Sequence, residues 1–279
     1  METFGTRLVR AVAERGPLCV GVDPHASLLP AWGLTDDAEG CARFSETVVT
    51  ALADRVAVFK PQSAFYERFG SRGIAVLEST IRHLRDAGAL VLLDVKRGDI
   101  GSTVAAYASA YLDPGSSLCA DAITASPYLG VGSLAPMFDT AAAHGGGVFV
   151  LAFTSNPEAA RFQRAVTAGG RTVGQTVIDE ISQLNAGARP LGSLGVVVGA
   201  TVSGDPVDLS ELGGPVLVPG MGTQGGTPET LRTVAGAAPG AVLPSYSREV
   251  LGRGPGVPAL REAADRALAA CSAALARAR

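Results

Sequence analysis

The sequence predicts a single (β/α)8 barrel over residues 1–279. Three observations predict it. Eight short apolar runs recur along the chain, segments with helical periodicity separate them, and charged residues stand at the ends of several runs instead of breaking them. Alternation of strand and helix implies a parallel sheet, whose strands are buried on both faces and so read as continuous apolar stretches. The length of 279 residues fits one large α/β domain, because such barrels typically run to about 250 residues. A hydrophobic content of 47% is enough to fill its core.

The first helix, 4–15, precedes the first strand and is expected to cover the bottom of the barrel. Strands are expected at 18–22, 56–59, 89–95, 122–125, 148–153, 195–200, 215–218 and 241–243. Between them, Ile74, Leu77, Ile81 and Leu84, and again Val173, Val177, Ile181 and Leu184, fall at helical spacing. The closing helix is 257–279, Ala-rich, with Leu260, Ala264 and Leu268 on one face. Two connections are unusually long, 24–40 and 154–172. Long loops in compact domains are lids or locally disordered segments, so 154–172 and the loop around 220–226 are candidate lids. There is no internal repeat, low-complexity tract or linker.

Composition excludes several classes. The net charge is −3 with acids and bases mixed, which argues against a nucleic-acid surface. Cys19, Cys41, Cys119 and Cys271 include no C-x-x-C pair and read as free thiols of a reducing compartment. His25, His83 and His144 are scattered, with no cluster at metal-ligand spacing, so no metal is expected. The N-terminus has no basic start followed by an apolar stretch, and no apolar run approaches the roughly 20 residues that span a bilayer. A cytoplasmic protein without membrane contact is the expectation.

The most informative stretch follows the third apolar run: Leu93-Asp94-Val95-Lys96-Arg97-Gly98-Asp99. Side chains alternate faces along a strand, so Asp94 and Lys96 point the same way, with Asp99 just past the strand end. A lysine held between two carboxylates keeps its proton and its position. The plain alternative is a solvated ion-pair network at a loop mouth. Arg97-Gly98-Asp99 also matches an adhesion tripeptide, which needs an extracellular context that nothing here supplies.

Active sites of such barrels lie at the C-terminal strand ends. There the first strand ends in Asp23-Pro24, the second in Lys60-Pro61-Gln62 and the fourth in Ser126-Pro127-Tyr128. The glycine-rich segment 220–226 contains a literal G-x-G-x-x-G, but residues 238–247 hold no acid for a dinucleotide ribose. It reads instead as a loop, with Gly225 in it, whose bare backbone amides approach an anion. Arg248 follows the eighth strand and would add a bidentate contact. Loops after strands seven and eight commonly bind phosphate in barrels, so a phosphorylated substrate is implied. No G-x-S-x-G occurs, which leaves Lys60 and Lys96 as the catalytic candidates.

Four blocks then resemble a known family in order: Val20-Gly21-Val22-Asp23-Pro24; Phe59 through Glu67, beginning Phe-Lys-Pro-Gln; Leu93 through Thr103; and Val218 through Gly226. Thr124-Ala125-Ser126-Pro127-Tyr128-Leu129-Gly130 and Thr154-Ser155-Asn156-Pro157 are smaller matches. The chain resembles the orotidine 5′-phosphate decarboxylases of the longer bacterial type. The resemblance implies loss of CO2 from orotidine 5′-phosphate to give UMP, with no metal or organic cofactor. It implies that Lys96 donates a proton to C6, that Asp94 and Asp99 flank it, and that Lys60 completes an alternating Lys-Asp-Lys-Asp network. It implies a homodimer in which Asp99 and Thr103 cross into the neighbouring site, Thr103 to a ribose hydroxyl. Asp23 and Lys60 match ribose-contacting positions, and Gln224 and Arg248 match phosphate-holding ones. Ser126 stands where the family usually has Asn at the pyrimidine edge. The family often has Tyr-Gly-Ala at Met221-Gly222-Thr223 and Ser-Ser-Arg-Gly at Tyr246-Ser247-Arg248-Glu249.

Three other readings stay open on the residues alone. One is a metal-assisted phosphosugar decarboxylase or epimerase on the same barrel. A Schiff-base aldolase is the second, although it needs a lysine of lowered pKa and carboxylate neighbours raise it. The third is a non-catalytic phosphate-ligand binder.

Overall fold

The computed structural model describes residues 1–202, 207–236, 238 and 241–276. Helix α1 (Phe4–Arg15) leads into strand β1 (Cys19–Val22), followed by α2 (Leu28–Ala31), α3 (Ala38–Leu52), β2 (Val58–Pro61), α4 (Ala64–Glu67) and α5 (Gly70–Asp86). Next come β3 (Leu90–Arg97), α6 (Gly101–Leu112), β4 (Ala122–Ala125), a 3-10 turn (Val131–Leu134), α7 (Ala135–His144), β5 (Gly147–Phe153), α8 (Ala159–Gln163) and α9 (Val173–Leu184). The chain continues through β6 (Leu194–Val198), β7 (Val216–Pro219), α10 (Pro228–Gly236), β8 (Val242–Tyr246), α11 (Arg248–Leu251) and α12 (Val257–Ala276). Each strand pairs in parallel with its sequence neighbour, and β8 returns to β1 to close the barrel. Of the closing helix expected over 257–279, α12 covers Val257–Ala276, and 277–279 lie outside the described residues.

The eight strands overlap the eight apolar runs, and the differences in length have one cause. β2 runs on through Lys60, β3 through Arg97 and β8 through Tyr246. An apolar-run criterion stops at a charge or hydroxyl, whereas the backbone continues its ladder and turns the polar side chain into the mouth.

Period-two alternation fills the barrel interior. Cys19, Val58, Leu90, Leu92, Ala122, Phe149, Val197, Leu217 and Leu243 form one buried cluster. Phe4 and Leu8, one turn apart on α1, cap that cluster from below. The Phe4 ring meets Phe149 edge-on at 5.9 Å. Burying each of these two side chains contributes roughly 1.5–3 kcal/mol. Thr3 begins α1 by accepting the Thr6 amide, and Gly16 at φ 78° ends it. Arg7 fixes the plug through Asp121 Oδ1 (2.5 Å) and the Gly145 carbonyl (2.7 Å).

The two long connections are more structured than expected. Within 24–40, α2 ends on Trp32 as its C-cap, whose indole N–H donates to the Leu251 carbonyl at 3.0 Å and whose ring lies 4.2 Å from Phe44. That segment is thereby bolted to the end of α11. Within 154–172, α8 and an antiparallel bridge between Val166 and Thr172 organise the chain, and the Gln163 side chain accepts the Thr154 amide at 2.7 Å. Polar side chains closing local hydrogen bonds supply this order, which apolar patterning does not register.

Candidate active site

Continuing the interior columns upward by two residues at a time places the polar groups of the mouth. Cys19 leads to Gly21 and Asp23, Val58 to Lys60 and Gln62, Leu92 to Asp94 and Lys96, and Ala122 to Thr124. Leu243 leads likewise to Ser245 and Ser247. The polar residues so placed line a cavity of about 410 Å3, with Leu151, Val197 and Leu217 as its apolar side and Gln224 and Arg248 at its rim. One half of the mouth is charged, from β1 to β4. The other half is apolar, from β5 to β7. A larger cleft of about 590 Å3 lies at the opposite end of the barrel, beside Arg7, Arg82 and Asp121. Its central carboxylate is already engaged by Arg7 and by the Val91 amide, which marks it as part of the scaffold.

Asp94 is the hub. Its Oδ2 accepts from Lys60 Nζ at 3.0 Å, and its Oδ1 accepts from Lys96 Nζ at 2.6 Å. Thr124 Oγ1 donates to Oδ1 at 2.8 Å and accepts the Lys96 amide at 2.9 Å. The side chains of Lys60 and Asp94 are only 8% and 7% exposed, whereas that of Lys96 is 44% exposed. Both lysines line the cavity, Lys96 as the open one and Lys60 as the buried one. Burial alone would push the Asp94 carboxyl up, but the Lys60 and Lys96 charges and their hydrogen bonds outweigh it and hold it well below the carboxylate range. Burial likewise opposes the Lys60 charge, and Asp94 followed by Asp23 reverses that and holds the ammonium above its usual range.

Within one chain the first three members of the expected Lys-Asp-Lys-Asp series are in contact, Lys60, Asp94 and Lys96. A carboxylate sits between two lysines; Lys96 is not bracketed by two carboxylates. Asp99 Oδ1 accepts the amide of its own neighbour Ile100 at 2.8 Å, and among the described residues no ion pair joins it to Lys96. The reason is local: Asp99 falls after β3 ends at Arg97 and just before α6, where a carboxylate beside a helix start takes backbone donors.

Asp23 is braced from two sides. Ser247 Oγ donates to its Oδ2 at 2.5 Å, and the Gln62 amide donates to Oδ1 at 3.2 Å. Gly21 makes this approach possible, since a Cβ there would lie 2.5 Å from Asp23 Oδ2. His25 lies against the Phe65 ring at 4.2 Å on the same wall. Its imidazole is held below the usual value by burial, against the pull of Asp23 and with the push of Arg248 and Lys60.

The glycine-rich loop is a tight turn, with Gly220, Gly222 and Gly225 at φ 92°, 69° and 94°. Its amides are less bare than expected. Those of Met221, Gly222, Gly225 and Gly226 already donate to backbone carbonyls, so Thr223 and Gln224 present the cavity-side face. Gly225 shapes the turn and is not among the residues lining the cavity. Ser126 and Thr103 also lie outside that lining. The Ser126 amide is tied to the Arg97 carbonyl at 2.9 Å, and Thr103 is exposed on α6. Of the 154–172 segment only Thr154 and Ser155 reach the cavity.

Thr124, Ser247 and Gln62 carry structure that the reading of strand ends did not assign. Thr124 and Ser247 were recoverable by counting in twos from Ala122 and Leu243. Gln62 acts on Asp23 through its backbone amide, which no side-chain pattern reveals. No helix among the described residues is long and apolar enough to cross a membrane.

The profile of the orotidine 5′-phosphate decarboxylase / HUMPS family matches residues 16–263. The orotidine 5′-phosphate decarboxylase of Salinispora arenicola is 72% identical over 275 residues, covering 99% of each chain. That of Streptomyces coelicolor is 60% identical over 270 residues, covering 95% of this chain and 96% of the relative. A crystal structure from Streptomyces avermitilis, described as an orotidine 5′-phosphate decarboxylase, superposes with a TM-score of 0.94 at 57% identity, covering 99% of this chain and 97% of that one. Barrel, mouth and relatives agree: the chain belongs to the orotidine 5′-phosphate decarboxylase / HUMPS family.

Proposed function

We propose that this mouth converts orotidine 5′-phosphate to UMP and CO2 without metal or organic cofactor, with Lys96 protonating C6. The observation that carries this reading is the buried Asp94 carboxylate gripping Lys60 and Lys96 at once, with Lys96 the member most open to the cavity. When the C6–carboxylate bond breaks, the electron pair stays on C6, with no conjugated sink. An organic cofactor normally supplies such a sink. Here a fixed ammonium beside C6 stabilises the developing charge and then gives its proton to that carbon. Solvent reprotonates Lys96. Asp94 keeps the ammonium charged and aimed, so little reorganisation accompanies bond breaking.

The rest of the substrate fits the remaining wall. Asp23 and Lys60 take ribose hydroxyls, Gln224 and Arg248 take the phosphate, and Leu151, Val197 and Leu217 offer an apolar side to the ring. Phosphate binding far from C6 supplies binding energy for closure at the reacting end. Asp99 and Thr103 enter the neighbouring site of a homodimer. In support, Ile100 is 61% exposed directly beside Asp99, and Tyr128 and Leu129 on the adjacent β4 loop are also exposed. Apolar side chains gathered at a mouth favour burial by a second copy.

The test is direct. Purified protein is mixed with orotidine 5′-phosphate in EDTA, and loss of the orotate chromophore is followed beside released CO2. Equal turnover with and without EDTA supports the reading. Activity that disappears in EDTA and returns with Mg2+ assigns the site to metal-assisted chemistry, and no turnover at all removes the decarboxylase.

A further inference from the structure

Lys96 does not sit on an ordinary strand. It has φ 45°, the sole non-glycine residue with positive φ among the described residues. Around it the β3–β4 register slips: Leu93 pairs with Ile123, but Arg97 pairs with Ala125, so four steps on β3 are matched by two on β4. β3 therefore bulges at the residue that carries the ammonium. A long side chain in the left-handed region is strained, and such a conformation persists only where its surroundings over-determine it.

The surroundings are specific. Ahead of the bulge, the Ser63 amide donates to the Asp94 carbonyl at 3.2 Å. At the bulge, the Lys96 amide is held by Thr124 Oγ1. Behind it, the Arg97 carbonyl accepts the Ser126 amide at 2.9 Å. The Val95 carbonyl is gripped by Arg97 itself: Nη1 folds back and donates to it at 3.1 Å. The other arm of the same guanidinium donates to Glu67 Oε1 at 2.6 Å and to the Tyr111 hydroxyl at 3.4 Å. Glu67 is in turn steadied by Ser63 Oγ at 2.6 Å. The Tyr107 and Tyr111 rings lie 5.7 and 6.0 Å from the guanidinium carbon. One planar fork thus spans the bulge, α4 and α6.

We propose that Arg97, anchored by Glu67, is a positioning residue for Lys96: it holds the bulge that aims the ammonium into the cavity. This rests on the reading of Lys96 as proton donor. Arg97 lines no part of the cavity, so it acts through the backbone of its neighbour.

The experiment compares Arg97→Gln, Arg97→Lys and Glu67→Gln with wild type and Lys96→Ala. Turnover of orotidine 5′-phosphate, dissociation of UMP and thermal unfolding are measured for each. UMP lacks the departing carboxylate and reports ribose and phosphate binding without the aim of Lys96. A misplacement of about 1 Å costs on the order of 10²-fold in rate. Arg97→Gln is expected to lower kcat by about 10²-fold with UMP affinity within about threefold. Arg97→Lys, whose single ammonium cannot serve Val95 and Glu67 together, and Glu67→Gln are expected to fall between. A folded Arg97→Gln with kcat within about threefold of wild type overturns the proposal, as does a parallel loss of kcat and UMP affinity. If Arg97→Gln does not fold, the same two criteria apply to Glu67→Gln and Arg97→Lys, and misfolding of all three assigns the pair to the scaffold instead. Full activity in Lys96→Ala sinks the proton-donor reading itself, whereas an inactive Lys96→Ala beside normal Arg97 variants sinks the positioning role alone.

Discussion

Replacing Thr124 with Val is the sharpest probe of the hub, because it keeps the side chain's shape and removes only its hydroxyl. That hydroxyl is buried and makes two bonds, to Asp94 Oδ1 at 2.8 Å and from the Lys96 amide at 2.9 Å. A donor left unsatisfied costs roughly 1–3 kcal/mol, and a hydrogen bond to a charged group contributes about 1.5–3 kcal/mol. Asp94 retains both lysines, and the Lys96 amide lies near an open mouth, so the sum falls toward about 2–4 kcal/mol. The catalytic effect is separate. Loss of the tie between Lys96 and β4 frees the bulge, and a displacement near 1 Å lowers kcat by about 10²-fold, or about 2.7 kcal/mol at 1.36 kcal/mol per tenfold. Trp32, the sole tryptophan, gives a fluorescence signal for urea unfolding. CO2 release gives kcat. Thr124→Ser, which keeps the hydroxyl, is expected to recover most of both losses. The reasoning is refuted if Thr124→Val stays within about 0.5 kcal/mol of wild type and turns over at a comparable rate.

The remaining predictions address the partner subunit, the phosphate and pH. Mixing inactive Lys96→Ala and Asp99→Ala proteins after mild dissociation is expected to restore turnover, because each mixed dimer then contains one site with both residues intact; continued inactivity of the mixture argues that Asp99 serves its own chain or none. Arg248→Ala is expected to lower kcat/KM by about 10²-fold or more, as loss of a charge-assisted phosphate contact worth several kcal/mol requires, and near-normal kcat/KM contradicts a phosphate role. For pH, Asp94 titrates below its unfolded value near 3.9, so its stability contribution is complete above that value and is lost as pH falls through the depressed folded pKa. Lys60 titrates above its unfolded value near 10.4, so its contribution is complete below that value and is lost as pH rises through the raised folded pKa. Urea midpoints are therefore expected to be insensitive to this pair from about pH 5 to pH 9. A Lys60→Met, Asp94→Leu double variant should show a shallower acid limb than wild type, and an unchanged limb contradicts the coupling.

The barrel was legible because its strands are buried on both faces: apolar runs marked all eight, alternation put Asp94 and Lys96 on one face, and the C-terminal strand ends put Asp23 and Lys60 at the same mouth. Three kinds of information were not legible. The bulge at Lys96 depends on a register slip against β4, which belongs to two strands and to no local motif. The order around segments 24–40 and 154–172 comes from single long-range or polar contacts, such as Trp32 to the Leu251 carbonyl, that leave no periodic trace. The Asp99 carboxylate takes the Ile100 amide past the end of β3, a backbone contact that no residue pattern marks, although the resemblance already carries Asp99 out of its own chain's site. Thr124 was readable but unread, since hydroxyls on an apolar strand are as easily packing residues as hydrogen-bonding ones.

The most direct measurement is kcat for CO2 release by folded Lys96→Ala at saturating orotidine 5′-phosphate. Loss of a preorganised charge aimed at the transition state predicts a fall of about 10³-fold or more with UMP still bound. Turnover within about tenfold of wild type means that the carbanion is stabilised by another group, and the account built on this ammonium is wrong.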